Sequence, residues 1–271
     1  MRLLIFGLGY TAARVAHLVR ARGGEVRATG SAGDLAFDAA ADAIGWATHI
    51  LSSVPPAEDA DPVLARYGRA LAGSRAWIGY LSSTGVYGDA NGAWVDETAP
   101  LLGRRGGRIA ADGEWLALNA RVFRLPGIYG PGRSALERVG EGRAHLTDLP
   151  TQVFSRVHVD DIAAGVLAAF AAPPGAYNLA DDRPCAQDEV IRYAARLLGL
   201  PDPPVVGLDR LSPMARAFYG ENRRVANGRA KRVLGWTPVY ADYRLGLRAV
   251  SAITSPTPAS SPPATASGDQ R

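Results

Sequence analysis

The chain has 271 residues, of which 47% are hydrophobic and 21% charged, enough apolar material for one large globular core. The net charge of +4 rests on 30 basic residues, Lys231 being the only lysine, and the arginines are scattered without the aromatic-interleaved basic stripe of a nucleic-acid binder. One cysteine, Cys185, excludes an internal disulfide and a cysteine-based metal cluster. No apolar run has the length of a membrane span and no secretory cleavage pattern follows the opening residues, so a soluble cytoplasmic protein is expected.

The run Arg2-Leu3-Leu4-Ile5-Phe6 is of strand length and breaks at Gly7-Leu8-Gly9-Tyr10-Thr11-Ala12, before a helix-period segment that ends near Arg22. A second strand over Glu25 to Thr29, after the Gly23-Gly24 break, completes a strand-helix-strand unit of about 30 residues, the length that a parallel crossover needs. Further strands are expected at His49 to Ser52, Ala76 to Ser82 and Val122 to Leu125, with helical patterns between them. This alternation predicts an α/β fold, a Rossmann-type doubly wound parallel sheet whose ligands bind beyond the carboxyl ends of the strands.

The glycine turn carries a physical demand. A dinucleotide pyrophosphate must approach backbone N–H groups at a helix N-terminus, where a Cβ would block it. Gly7 and Gly9 give that clearance, and Ala12 suffices at the third position, where only close helix-to-strand packing is needed. At the end of the second strand an acid would bind the adenosine ribose and repel a 2′-phosphate. The stretch Arg27-Ala28-Thr29-Gly30-Ser31 has none, so Arg27, Thr29 and Ser31 are placed to accommodate a phosphate and NADP is favoured over NAD. The alternative for Arg27 is a solvated surface charge. Asp38 is placed either to accept from the adenine amino group or simply to cap a turn.

The block Tyr80-Leu81-Ser82-Ser83-Thr84-Gly85-Val86-Tyr87-Gly88-Asp89 is followed by Arg124-Leu125-Pro126-Gly127-Ile128-Tyr129-Gly130-Pro131-Gly132 and by Phe154-Ser155-Arg156-Val157-His158-Val159-Asp160-Asp161-Ile162-Ala163. Tyr177-Asn178-Leu179-Ala180-Asp181-Asp182 and Leu234-Gly235-Trp236-Thr237-Pro238 come later. In this order, and over roughly residues 1 to 250, the chain resembles the extended branch of the short-chain dehydrogenase/reductase superfamily, the NAD(P)-dependent epimerase/dehydratase group. The resemblance implies an oxidoreductase or epimerase/dehydratase-like enzyme acting on a small-molecule substrate. It implies cofactor contacts at Gly7, Leu8, Gly9, Tyr10, Thr11, Ala12, Thr29, Ser31, Asp38, Ser52, Ser53, Ser82 and Pro126. It also implies that Ser83 hydrogen-bonds the reacting oxygen.

The family's proton-transfer pair, Tyr-x-x-x-Lys, is absent. The residue four places before Lys231 is Asn227, and counting back from Glu114 puts the two positions at Gly106 and Ala110. A replacement acid would have to come from Ser83, Thr84, Tyr87 or Tyr129, with positive charge from Arg104, Arg105 or Arg108. Arginine stabilises an oxyanion but scarcely shuttles a proton, since its pKa exceeds about 12. The arginine run is otherwise a solvated face. The alternative function is a non-catalytic dinucleotide sensor or scaffold.

Asp160 reads as the N-cap of an apolar helix, with Asp161 in its first turn. His17, His49 and His145 have no ligand spacing to His158, so no metal site is expected. Residues 131 to 250 are expected to form a small C-terminal substrate lobe, with the helix Gln187 to Leu198 and the segment Asn222-Arg223-Arg224-Val225 as wall elements. From Ser251 the Pro/Ser/Thr/Ala-rich sequence predicts a disordered tail to residue 271. A homodimer is compatible with the resemblance, but no apolar stripe decides it.

Overall fold

The structure is a computed structural model, and it describes residues 1–57, 60–149 and 151–254. In chain order the first elements are β1 (Arg2–Phe6), α1 (Tyr10–Ala21), β2 (Glu25–Ala28), α2 (Ala41–Trp46), β3 (His49–Ser52), α3 (Pro62–Ala72), β4 (Trp77–Ser83), β5 (Trp94–Val95), α4 (Gly106–Ala117) and β6 (Arg121–Leu125). They are followed by β7 (Gly127–Tyr129), α5 (Ala135–Gly140), β8 (Arg156–His158), α6 (Val159–Ala168), β9 (Gly175–Asn178), α7 (Gln187–Leu197), α8 (Pro213–Tyr219), β10 (Arg224–Val225), α9 (Gly228–Leu234) and α10 (Tyr243–Thr254).

Six parallel strands form the central sheet in the order β2-β1-β3-β4-β6-β9. The chain runs outward from β1 to β2 and then crosses to the other side for β3, so the switch point lies between β1 and β3, where open α/β sheets bind ligands. Alternate β1 side chains enter different cores. Leu3 and Ile5 pack with α1 and α6, whereas Leu4 and Phe6 pack with α2, α3 and α4. A strand covered on both faces must be apolar throughout, which explains the unbroken run in the sequence. Asp61 caps α3 by accepting from the N–H groups of Val63 and Leu64, while Pro62 fills the first helical position. The other Asp61 oxygen accepts from the indole N–H of Trp115 and ties α3 to α4.

A separate apolar cluster joins α5, α7 and α10 with Tyr129 and Cys185. The short parallel pairs β7–β8 and β5–β10 form two small sheets outside the central one. No helix among the described residues is long and apolar enough to cross a membrane.

Two sequence expectations shift. The N-cap of α6 is His158, whose Nδ1 accepts from the Asp160 N–H at 3.2 Å, and Asp160 sits in the first turn paired with Arg14 at 3.0 Å. An imidazole nitrogen here performs the capping role that carboxylates and hydroxyls more often fill. Helix α10 runs to Thr254, four residues into the segment expected to be tail, and residues 255–271 lie outside the described residues.

Candidate active site

The turn after β1 is braced by the chain itself. Gly7 has φ +85°, and a Cβ there would lie 2.9 Å from the Val54 side chain. Its N–H donates to Thr29 Oγ1 at 3.1 Å, and the Leu8 N–H donates to the Thr29 carbonyl at 2.7 Å. Gly9 caps α1, and a Cβ on it would meet nothing within 4 Å. The first intrahelical bond runs from the Ala13 N–H to the Gly9 carbonyl, which leaves the N–H groups of Tyr10, Thr11 and Ala12 at the open, positive end of the helix. The two glycines therefore differ. Gly7 permits the backbone path, whereas Gly9 keeps the approach to the helix N-terminus clear. That cradle fits a pyrophosphate.

The sequence-predicted cofactor residues divide in the same way. Thr29 is buried, and its hydroxyl accepts from the Gly7 N–H, so it braces the turn. Ser31 and Asp38 are exposed beyond β2, with Asp38 3.9 Å from Arg66. Arg27 stacks its guanidinium 5.8 Å over the Trp46 ring. At the end of β3, Ser52 is fully buried and Ser53 half-buried. Ser82 is turned inward, donating to Asp112 at 2.7 Å, so its hydroxyl is occupied within the protein. Tyr10 donates to the Pro131 carbonyl at 3.1 Å, which links the glycine turn to the loop after β7.

A cavity of about 490 Å³ opens at the carboxyl ends of β4 and β6. Ser83 and Thr84 line it on one side, and Leu125, Pro126 and Gly127 on another. The Ser83 hydroxyl accepts from the Gly85 N–H at 3.1 Å, which leaves its own hydrogen free for an acceptor in the cavity. Five arginines, 104, 105, 108, 156 and 223, line the same space, with Glu221 as the acid among them. Arg104 donates to Glu221 at 2.7 Å and Arg223 at 2.6 Å. Burial pulls the Glu221 carboxyl up, but these two bonds hold it below the usual carboxylate range. The run at 104–108 is thus the wall of a cavity, where the sequence offered a solvated face as the plainer reading. Its distance from Arg156 and Arg223 along the chain hid this, and no local signal reveals it.

The tyrosines weighed as replacement acids lie elsewhere. Tyr87 donates to Asn178 Oδ1 at 2.7 Å and accepts from Arg124 at 3.0 Å, and burial raises its pKa. Burial also pushes the Tyr129 hydroxyl well above its ordinary value. Neither is among the residues that line the cavity, whereas Thr84 is. Gly106 and Ala110, the positions of the missing pair, fall in the first turns of α4 and bring no proton donor. Among the described residues no group of three or more His, Cys, Asp or Glu side chains is placed to hold a metal.

No protein-family model matches the chain. A conserved protein of unknown function from Silicibacter pomeroyi is 43% identical, with a TM-score of 0.83 over 93% of this chain and 98% of its own. A 3-diazoavenalumate denitrifying reductase from a Streptomyces species is 31% identical over 138 residues, 46% of this chain and 45% of that protein, so the chain spans about half the length of this curated relative. Human epimerase family protein SDR39U1, solved with NADPH, is 15% identical with a TM-score of 0.74 over 93% of this chain and 99% of its own, a likeness of fold.

Proposed function

Because the chain belongs to one family with the conserved Silicibacter pomeroyi protein and has the extended short-chain dehydrogenase/reductase fold, we propose that it is an NAD(P)-dependent reductase of a small molecule. The observation that carries this reading is the unblocked N-terminus of α1 at Gly9, which follows the carboxyl end of β1 in the same parallel sheet whose β4 and β6 carboxyl ends line the cavity. The N–H groups of Tyr10, Thr11 and Ala12 would hold the pyrophosphate, and Pro126 would border the nicotinamide. The absence of an acid from Arg27 to Ser31, with Ser31 exposed, favours NADP.

When bound, the reduced nicotinamide supplies a hydride to an electrophilic carbon in the cavity. Ser83 donates to the reacting oxygen, and the guanidiniums of Arg105 and Arg108 stabilise the negative charge that develops there. The proton that completes the reduction comes from water in the open cavity. Reductase chemistry of this kind suits a chain without a tyrosine acid, and the name of the Streptomyces relative is consistent with it.

A fluorescence titration with NADPH is expected to saturate for the wild type and to weaken by about 10- to 100-fold, about 1.4 to 2.8 kcal/mol, for Gly9→Ala, whose Cβ fills the clearance without touching a neighbour. An unchanged affinity would sink the assigned cradle. Ser83→Ala is expected to lower turnover with a carbonyl substrate by about 10- to 100-fold at unaltered NADPH affinity. An equal rate would remove Ser83 from the mechanism. The second reading, a dinucleotide sensor without turnover, draws on the lack of a donor at Gly106 and Ala110. It predicts NADPH binding with no oxidation across a carbonyl panel.

A further inference from the structure

Of the five arginines around the cavity, Arg104 and Arg223 share Glu221. The other three have no carboxylate within ion-pair distance among the described residues. Arg156 is the most telling of them, because it is only 6% exposed yet donates solely to neutral acceptors. These are the Phe154 carbonyl at 2.9 Å, the Cys185 carbonyl at 3.3 Å and Sγ at 3.2 Å, and Gln187 Oε1 at 3.0 Å. Asp181 is its electrostatic neighbour, but burial pushes that carboxyl up to about 8 and no ion pair joins the two, so a buried guanidinium here is costly unless a ligand supplies the counter-charge.

The fold holds these charges next to Ser83. Gly103 packs so tightly on the turn after β4 that an added Cβ would overlap the Gly85 carbonyl, and its N–H donates to the Val86 carbonyl at 2.9 Å. The segment carrying Arg104, Arg105 and Arg108 is therefore anchored to the Ser83 turn. Across the cavity, Arg156 pairs in register with Gly127, immediately after Pro126. Helix α4 begins at the cavity with no side-chain cap and no acid in its first turn, so its positive end adds to the same field.

We infer that the substrate of this site is a compact dianion, a small carboxylate- or phosphate-bearing compound whose anionic group rests on Arg105, Arg108 and Arg156 beside Ser83. This rests on the reductase reading for what the site does, but not for what it binds. Guanidinium forks match carboxylate and phosphate oxygens bidentately, so the two groups share one recognition chemistry. Three arginines would supply the positive charge and orient the molecule in a site that lacks the tyrosine and the lysine.

The test is calorimetric titration of malonate, inorganic phosphate and neutral malonamide into the full chain saturated with NADPH, which keeps the α1 terminus from competing for the anion. At least one dianion is expected to bind the wild type, and its tighter member assigns the anion as carboxylate or phosphate. Arg156→Gln and the double variant Arg105→Gln/Arg108→Gln are each expected to weaken it tenfold or more while NADPH affinity stays the same. The double variant changes residues at the cavity's open side, so it serves even where Arg156→Gln fails to fold. Failure of both dianions to bind, equal binding by malonamide, or equal affinity in the folded double variant would overturn the inference. A chain that binds no NADPH but still binds malonate through these arginines would reject the dinucleotide reading and leave the anion site standing.

Discussion

Arg124 on β6 and Arg156 on β8 are both almost wholly buried, at 3% and 6% exposure, and their surroundings could scarcely differ more. Arg124 donates from Nη2 to Asp112 Oδ1 at 2.8 Å and from Nε to Asp112 Oδ2 at 3.2 Å. The same network takes in the Ser82 hydroxyl, Tyr87 and the Glu97 carbonyl. Burial disfavours its charge, but the Asp112 carboxylate holds the guanidinium protonated more firmly than usual. Arg156 has only neutral acceptors and faces a cavity. A buried cation matched inside the chain fastens helix α4 to the sheet. One left unmatched beside open space is a binding group.

The comparison breaks most severely at Asp112→Asn. Losing the carboxylate strands the Arg124 charge in the core, so a stability loss of about 3–5 kcal/mol is expected in urea unfolding. A loss below about 1 kcal/mol would mean that the network contributes little.

Gln187→Glu sharpens the contrast from the other side, because it places a carboxylate where an amide oxygen now lies 3.0 Å from Arg156. That change makes Arg156 resemble Arg124. Malonate affinity is expected to fall about tenfold, about 1.4 kcal/mol, with stability maintained. Unaltered malonate affinity would show that the charge of Arg156 is not what the ligand meets.

The smallest effect is on pH dependence. Burial pushes Asp181, the acid nearest Arg156 in electrostatic influence, up to about 8, and pushes His158 down to about 4. Between about pH 4 and 6.5 the unfolded chain has His158 protonated and Asp181 ionised, while the folded chain has the reverse, so the two proton differences oppose each other and stability changes little. From about pH 6.5 to 8 only Asp181 differs. The folded state binds the extra proton there, and stability falls as pH rises. In Asp181→Asn that fall should vanish, and His158, now unopposed, should make stability rise from pH 4 to 6.5. Urea midpoints across pH 4 to 9 measure both slopes.

Much of the fold was legible because its causes are local. The apolar run at Leu3 to Phe6, the glycine break and the helix-period segment after it specify a strand, a turn and a helix whichever partners they later meet. The strand expected at His49 to Ser52 matches β3, and the helix expected at Gln187 to Leu198 ends one residue earlier at Leu197. The α6 cap was misread because a histidine acceptor is rarer than an aspartate, and the pattern Asp160-Asp161 before apolar residues masks it. The bond that the Thr29 hydroxyl accepts from the Gly7 N–H spans 22 residues, so its part in bracing the turn was not legible.

The absence of the Tyr-x-x-x-Lys pair is a property of the sequence alone, since one lysine with Asn227 four places before it can form no such pair in any fold. The glycine turn was legible too, because a positive φ at Gly7 and an unblocked helix end at Gly9 are what residues without a Cβ permit, although Thr29 and Val54 brace it only in the fold. What replaces the missing pair was decided only by the tertiary structure. Arg105, Arg108, Arg156 and Arg223 come from three separate stretches, and their charges add in one place only because the start of α4, the start of β8 and the segment before β10 meet the carboxyl ends of β4 and β6 around the same cavity. Coulomb interaction depends on distance in space, so residues scattered in sequence become one field only after the chain has folded.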